Sequence, residues 1–134
     1  MTLANDPIVI VSAVRTPMGG LQGDLKSLTA PQLGAAAIRA AVERAGVAAD
    51  SVDQVLFGCV LPAGLGQAPA RQAALGAGLH KGTTCTTLNK MCGSGMQAAI
   101  MAHDMLLAGT AEVVMLVAGV VTVVALHGLD NRFT

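Results

Sequence analysis

The residues best suited to chemistry lie in the stretch 89–97, which reads Asn-Lys-Met-Cys-Gly-Ser-Gly-Met-Gln. A β-like run precedes this stretch and an apolar helical pattern follows it, so the sequence predicts Cys92 in the first turn of a helix. Unpaired backbone N–H groups and the positive end of the helix dipole would stabilise a negative sulfur there. The pattern therefore favours a thiolate nucleophile. A small buried thiol is the alternative that the local pattern leaves open.

The chain contains three cysteines, and none of them belongs to a C-x-x-C pair. An odd number leaves one thiol unpaired under any disulfide scheme, which predicts a reducing compartment and a cytoplasmic location. Cys59 and Cys85 fall in strand-like segments and are interpreted as core thiols. No two potential ligands have the spacing of a metal site, so we expect none.

Two other patterns are interpreted as structural. Gly64 and Gly66 lie in a turn that lacks the Lys-Ser/Thr of a phosphate loop and the third glycine of a dinucleotide fingerprint. Arg71 and Gln67 are better suited to holding a loop or a dimer contact than to chemistry. Four methionines are interpreted as core filler. They are Met91, Met96, Met101 and Met105.

The elements around Cys92 alternate between strands and helices. The β-branched run 8–11 is typical of a strand buried on both faces. Thr29 and Gln32 form a capping-box pattern and Gly46 follows as a C′ glycine, which predicts a helix between them. The other predicted elements are strands at 52–60, at 84–88 and from 113, and helices after Pro69 and over about 92–107. This order predicts an α/β domain with a mixed, mostly parallel sheet.

The helix predicted over 92–107 has almost no polar face, so it must be covered on all sides and lie centrally between layers. The whole chain has 134 residues, of which 53% are apolar and 12% charged. That charged fraction is well below the usual quarter. We therefore expect exposed apolar surface, poor solubility and self-association as a homo-oligomer.

Charge and segment lengths exclude several classes of function. The formal net charge is +0, with eight residues of each sign and no block of either, which argues against nucleic acid or an anionic membrane as a partner. The apolar run 113–126 is shorter than the 18 or more residues of a membrane span. We interpret it as buried strand. Residues 1–7 lack the basic and apolar regions of a signal peptide.

Three blocks of this sequence resemble the N-terminal part of the thiolase family, of the acetyl-CoA acetyltransferase type. The first reads Ser-Ala-Val-Arg-Thr-Pro at 12–17. The second lies within 58–74 and includes Gly-Cys-Val-Leu-Pro-Ala-Gly and Pro-Ala-Arg-Gln-Ala-Ala. The third is Asn-x-x-Cys-Gly-Ser-Gly-Met at 89–96. Their order and spacing imply a thiolase-type layered α/β domain over residues 1–118, incomplete because only the N-terminal portion is present.

The resemblance also implies roles for residues of the third block. Cys92 would be the nucleophile that takes the acyl group from an acyl-CoA thioester, with its backbone N–H as part of an oxyanion hole. Asn89, Gly93, Ser94 and Gly95 would hold the loop and the helix start, Gly95 by allowing close approach. Their alternative role is as simple turn formers. The implied substrates are acetyl-CoA or a 3-ketoacyl-CoA, and no cofactor is implied beyond these coenzyme A thioesters.

The sequence lacks other motifs of that family: the histidine of Gly-His-Pro, the second catalytic cysteine and the Asn-Glu-Ala-Phe segment. His103 would lie roughly 16 Å along the helix from Cys92. His80 and His127 are interpreted as ordinary residues. Without a general base we expect at most slow acylation and no turnover.

After Val114 the family continues with Gly-Gly-Met-Glu-Ser-Met-Ser, whereas this chain follows a different apolar sequence. We interpret residues 119–134 as a divergent tail of a truncated or frameshifted product that lacks the fifth strand and the sister domain. Two alternatives remain. One is a non-catalytic thiolase-like fragment that binds a partner or oligomerises. The other is a relative of the ketoacyl synthases, which the Arg-Thr-Pro and Pro-Ala-Arg-Gln blocks disfavour.

Overall fold

The computed structural model describes residues 8–118 and the backbone of residues 121–127. Helices α1 and α2 share one apolar core with one face of a sheet, and α3 shares a second core with the other face. The strands are β1 (Ile8–Arg15), β2 (Gln54–Gly58), β3 (Thr84–Leu88), β4 (Val113–Ala118) and β5 (Val121–His127). The helices are α1 (Ala30–Ala45), α2 (Pro69–Ala77) and α3 (Ser94–Leu107), with a short 3-10 turn at Ala49–Ser51. The predicted layered α/β class is confirmed.

The strands lie in the order β1-β5-β4-β2-β3. Strand β2 is parallel to both β3 and β4, and β5 is antiparallel to both β1 and β4. Because β5 alone reverses direction, β1 points the same way as β4, and the sheet is mixed but mostly parallel, as predicted. The carboxyl ends of β1, β2 and β4 therefore meet at one edge, where parallel α/β sheets place their ligands.

The prediction that the chain lacks a fifth strand is wrong. Residues 121–127 form β5 between β1 and β4, in register from Ala118 opposite Val121 to Val113 opposite Leu126. The apolar run 113–126, which the sequence predicts to be strand, forms the two strands β4 and β5, because the chain reverses within it and pairs with itself. An uncharged, β-branched sequence suits a strand with a neighbour on each side. The rest of the predicted tail, residues 119–120 and 128–134, lies outside the described residues.

Strand β2 is buried on both faces. Val55 and Phe57 pack into the core with α1 and α2, whereas Leu56 packs into the core with α3. All three side chains are at most 1% exposed. Strand β4 alternates in the same way. Burying a side chain of this size contributes about 1.5–3 kcal/mol, so these two central strands hold the layers together.

Helix α1 begins and ends where the sequence predicts. The Thr29 hydroxyl accepts a bond from the Gln32 N–H at 3.4 Å, and Gln32 Oε1 accepts one from the Thr29 N–H at 2.7 Å. Gly46 closes the helix in the left-handed conformation at φ 67°. On the buried face, a Cβ added to Gly34 would overlap the ring of Phe57. The helix can therefore lie directly on β2 only because this position has no side chain.

Strand β1 differs from the prediction of a short strand buried on both faces. It extends to Arg15, and Ile10 is 68% exposed and Val11 39% exposed. Two causes account for this: β1 is an edge strand that pairs only with β5, and a bulge between Ile10 and Ser12 interrupts the alternation. Only Ser12 and Val14 of β1 are buried.

Helix α3 is covered on one side by the described residues. Ala98, Ala102 and Leu106 are buried against the sheet. The opposite face exposes large apolar side chains that share one helical stripe. They are Met96, 69% exposed, Ile100, 47%, and Leu107, 45%. The further layer that an all-apolar helix requires is thus not supplied by residues 8–118. No helix within the described ranges is long and apolar enough to cross a membrane.

Candidate active site

Cys92 lies exposed at the sheet edge where β2 and β4 end and α3 begins. It lines a pocket with a volume of about 440 Å³. The walls come from residues 57–61 at the end of β2, residues 91 and 92, the first two residues of α3, the first residue of α1 and the last of β4. Most of these lining residues are apolar. The pocket therefore brings a solvent-accessible thiol together with an apolar surface.

The structure moves Cys92 out of the helix in which the sequence predicts it. Helix α3 begins at Ser94 with Gly93 as its N-cap, so Cys92 is the residue before the cap. Two turns precede the helix: the Gly93 N–H donates to the Lys90 carbonyl and the Ser94 N–H to the Met91 carbonyl, each at 3.0 Å. No side chain caps α3 at Gly93. The positive end of its dipole consequently remains available beside the thiol.

Asn89 ties the Cys92 loop to the strand beside it. Its side-chain oxygen accepts a hydrogen bond from the Met91 N–H at 2.9 Å, and its amide nitrogen donates to the Val60 carbonyl at 3.2 Å. The first bond shapes the turn before Cys92, and the second fixes that turn to the chain leaving β2. Asn89 therefore holds the turn before Cys92 against the segment that follows β2.

Ser94 makes two hydrogen bonds through its hydroxyl within the same loop. Its hydroxyl donates to the Met91 carbonyl at 2.6 Å and accepts from the Lys90 N–H at 2.9 Å. The residue is 5% exposed. Because the hydroxyl already has both a donor and an acceptor partner, Ser94 is suited to holding the loop.

Two glycines let α3 approach the sheet at this point. A Cβ added to Gly95 would overlap the Cβ of Ala118 at the end of β4, and a Cβ added to Gly58 would lie 2.9 Å from the Cβ of Ser94. Gly95 therefore allows α3 to lie close to the end of β4. Gly58 was not identified from the sequence as a second position that must lack a side chain. An isolated glycine inside a strand pattern is nevertheless a signal for close backbone approach.

Met91 and Cys59 also line the pocket, and the sequence predicted neither as part of it. Met91 is 66% exposed, so the interpretation of this residue and of Met96 as core filler is wrong. The reason is that Met91 precedes the helix and Met96 faces away from the sheet. Met101 and Met105 do pack against the α3 core. Cys59 is 6% exposed within the α1 and α2 core, as predicted for a core thiol, and borders the pocket as well.

Cys85 and Arg71 lie apart from the Cys92 pocket. Burial raises the pKa of the Cys85 thiol, and a hydrogen bond from Arg71 and its positive charge act in the opposite direction. Arg71 donates to the Thr83 carbonyl at 2.9 Å and to the Lys81 carbonyl at 2.6 Å. As predicted, this arginine holds a loop.

The described pocket lining contains no histidine, carboxylate or lysine side chain. His103 lies on α3 beside Asp104, 3.7 Å from its carboxylate. His80 accepts a hydrogen bond from the Gly82 N–H at 3.0 Å in the loop after α2. Neither histidine lines the pocket, and the side chain of His127 is outside the described part of the chain. Among the described residues, no group of three or more potential metal ligands is present.

Comparisons with known proteins agree with this geometry. The family model described as the thiolase N-terminal domain matches residues 8–122. The mitochondrial acetyl-CoA acetyltransferase B of Xenopus laevis is 56% identical over 106 residues, which are 79% of this chain and 25% of that protein. A cytosolic acetyl-CoA acetyltransferase of Gibberella zeae is 52% identical over 108 residues, which are 81% of this chain and 27% of that protein.

Solved structures give the same assignment. A crystal structure of a thiolase from Ascaris suum in complex with coenzyme A superposes with a TM-score of 0.80 at 36% identity, covering 81% of this chain and 28% of that one. The chain thus spans about a quarter of the length of its curated relatives. The matched region contains the three blocks and the Cys92 pocket. This chain belongs to the thiolase family, and it corresponds to part of the N-terminal domain.

Proposed function

We propose that this chain forms the acylation half of a thiolase active site, with Cys92 as the nucleophile. The observation that carries the proposal is the exposed Cys92 thiol at an apolar pocket beside the uncapped start of α3. In the proposed step Cys92 Sγ attacks the carbonyl carbon of an acyl-CoA thioester. A new sulfur–carbon bond forms, the original one breaks, and coenzyme A leaves as the thiol with the proton that Cys92 gives up.

The backbone at the helix start would stabilise the charge that develops in this step. As the thioester carbonyl becomes tetrahedral, its oxygen gains negative charge, and the N–H of Cys92 together with the positive end of α3 favours that charge. Asn89, Ser94, Gly93 and Gly95 would hold these groups in place. Their hydrogen bonds and close contacts support this role.

The substrates we propose are acetyl-CoA or a 3-ketoacyl-CoA. Support comes from relatives named acetyl-CoA acetyltransferases and from the coenzyme A complex of the Ascaris suum thiolase. No cofactor beyond the thioester is proposed. We further propose that the chain acts in the cytoplasm as a homo-oligomer; the names of its relatives include both cytosolic and mitochondrial proteins.

The described pocket offers no side chain that could act as a general base. Loss of such a group costs typically 10²–10⁴-fold in rate. We therefore propose that the chain alone acylates slowly and does not turn over.

The test is to incubate the chain with acetyl-CoA and to locate the adduct by intact mass and peptide mapping. We expect an acetyl group on Cys92, no acylation at this position in Cys92→Ala, and no net thiolysis of acetoacetyl-CoA. Cys59 and Cys85 serve as internal controls because both are less exposed. Acetylation spread over all three cysteines, or none at Cys92, would contradict the proposed nucleophile.

A second candidate function is that of a non-catalytic module that oligomerises or binds a partner. It is favoured by the exposed apolar stripe of α3. Large exposed apolar patches mark interaction sites. The acylation assay distinguishes the two candidates, because a purely structural module has no reason to react selectively at Cys92.

A further inference from the structure

The residue before Cys92 has a backbone conformation that side chains rarely adopt. Met91 has a φ of 49°, in the left-handed region where glycine is the unstrained choice. Hydrogen bonds hold it there from both sides. The Met91 N–H donates to Asn89 Oδ1 at 2.9 Å, and the Met91 carbonyl accepts from the N–H and the hydroxyl of Ser94 at 3.0 and 2.6 Å.

Strained residues of this kind persist where their surroundings determine them, and they cluster at functional sites. The strain at Met91 has a local cause in the turn that presents Cys92. It does not by itself explain why a long side chain occupies a position that glycine would fill without strain. The location of the side chain bears on that question, because Met91 lines the pocket and is 66% exposed.

Most other parts of the pocket wall cannot change shape. Phe57 and Cys59 are 1% and 6% exposed and packed into the core, and the glycine and alanine positions have no side chain that could move. Two large apolar side chains of the lining are strongly exposed, Met91 and Leu61. Of these two, only Met91 is bonded directly to the nucleophilic residue.

We propose that Met91 determines which acyl chain lengths Cys92 accepts, by forming the adjustable wall against which the transferred acyl group lies. The inference rests on the proposed acylation of Cys92. Methionine suits this task because it is unbranched, has three rotatable bonds and is polarizable. An acetyl group requires only a methyl-sized space beside Sγ. A longer acyl chain must share the pocket with the Met91 thioether.

The inference predicts the direction of a selectivity change. Shortening residue 91 frees space beside Sγ, so acylation by hexanoyl-CoA rises relative to acylation by acetyl-CoA. A single methylene in an apolar pocket changes selectivity by about 10–200-fold. Because this pocket is open to solvent, we expect a change on the order of tenfold in the ratio of the two rates, at the low end of that range.

The experiment measures initial rates of Cys92 acylation by acetyl-CoA and by hexanoyl-CoA in Met91→Ala, Met91→Gly and the unaltered chain. Met96→Ala is the matched control, since Met96 is a methionine of similar exposure, 69%, that does not line the pocket. Alkylation of Cys92 by iodoacetamide reports the reactivity of the thiol itself. Thermal unfolding of each variant reports the fold.

We expect the hexanoyl-to-acetyl ratio to rise in both Met91 variants and to stay constant in Met96→Ala. Iodoacetamide should react at a similar rate throughout. The melting temperature of Met91→Gly should equal or exceed that of the unaltered chain, because glycine relieves the strained φ. An unchanged ratio in both Met91 variants would overturn the inference alone. Absence of any Cys92 adduct in the unaltered chain would overturn the proposed function and the inference with it.

Discussion

At the scale of single residues, the position of Cys92 depends on hydrogen bonds made by its neighbours. Asn89 joins the turn before Cys92 to the segment after β2, and Ser94 closes the same turn from the helix side. The bond from Asn89 to Val60 joins residues 29 apart in the chain, the other bonds lie within the loop, and Cys92 itself is exposed. If Cys92 is the nucleophile that we propose, the side chains that position it differ from the one that reacts.

Replacing Asn89 tests this division. In Asn89→Ala both side-chain hydrogen bonds are lost, and because each contributes about 0.5–1.5 kcal/mol, we expect the free energy of unfolding to fall by roughly 1–3 kcal/mol. We also expect slower acylation of Cys92 by acetyl-CoA. Urea denaturation and the mass-spectrometric rate measure the two effects. Gln97→Ala is the control, since it removes a bond between Gln97 and Lys90 on the same helix start. Equal acylation rates in all three chains would contradict a positioning role for Asn89.

We expect Cys85 to make the stability of the chain dependent on pH. Burial raises the pKa of this thiol, against the opposing effect of Arg71. The folded chain therefore keeps the proton more tightly than the unfolded chain does. The contribution of the Cys85 thiol to the free energy of unfolding is complete below the ordinary thiol pKa. This contribution is lost as the pH rises through the folded-state pKa.

We accordingly expect the urea midpoint to fall as the pH is raised above about 8.5, the ordinary pKa of a cysteine thiol. The decrease should be smaller in Cys85→Ala, because that variant has no thiol to titrate at this position. Identical pH profiles for Cys85→Ala and the unaltered chain would show that Cys85 is not the cause.

At the scale of elements, the site depends on how closely α3 approaches the ends of β2 and β4. The approach requires glycine at Gly95 and at Gly58, since an added Cβ meets Ala118 in the first case and Ser94 in the second. Both strand ends also line the Cys92 pocket. Any change that moves the start of α3 away from the sheet therefore also changes the pocket.

Gly95→Ala tests this contact. Overpacking costs about 1–3 kcal/mol, and the better helix propensity of alanine returns up to about 1 kcal/mol, so we expect a net loss of roughly 1–2 kcal/mol in the free energy of unfolding. The double variant Gly95→Ala with Ala118→Gly should recover part of this loss, because it removes the atom that the new Cβ meets. Gly20→Ala is the control, since nothing lies within 4 Å of its added Cβ. If the double variant loses as much free energy of unfolding as the two single variants together, the direct contact between positions 95 and 118 is contradicted.

At the scale of the whole molecule, the described residues form two cores but leave the outer stripe of α3 uncovered. The chain covers 25–27% of the length of the relatives from Xenopus laevis and Gibberella zeae. Its exposed stripe consists of Met96, Ile100 and Leu107. Removing such a stripe from water lowers the free energy, so we expect the chain to associate through it.

We expect sedimentation velocity to show that the unaltered chain self-associates and that the Ile100→Lys variant self-associates less. The substitution places a charge in the middle of the exposed stripe without disturbing the buried face of α3. Ala108→Lys introduces the same charge at the end of this helix without removing a large apolar side chain, and it should associate like the unaltered chain. A monodisperse monomer of the unaltered chain, or equal association of both variants, would contradict association through the stripe.

The sequence by itself determined the features that depend on neighbouring residues. The Thr29 and Gln32 cap, the Gly46 termination of α1 and the strand-helix alternation all follow from interactions within a few residues. The family resemblance rests on motifs that are likewise local. For these features a short pattern contains the physical cause, because the interacting groups are close along the chain.

Only the tertiary structure decided the features that depend on distant pairing. Strand β5 takes its place because residues 121–127 pair with both β1 and β4, and β1 is partly exposed because it lies at the sheet edge. Met91 faces a pocket built from several elements. Such contacts join groups far apart in the chain, and local periodicity cannot specify which segments meet. The sequence therefore identified Cys92 as a candidate nucleophile, whereas the walls of its pocket were set by the packing of the sheet and helices.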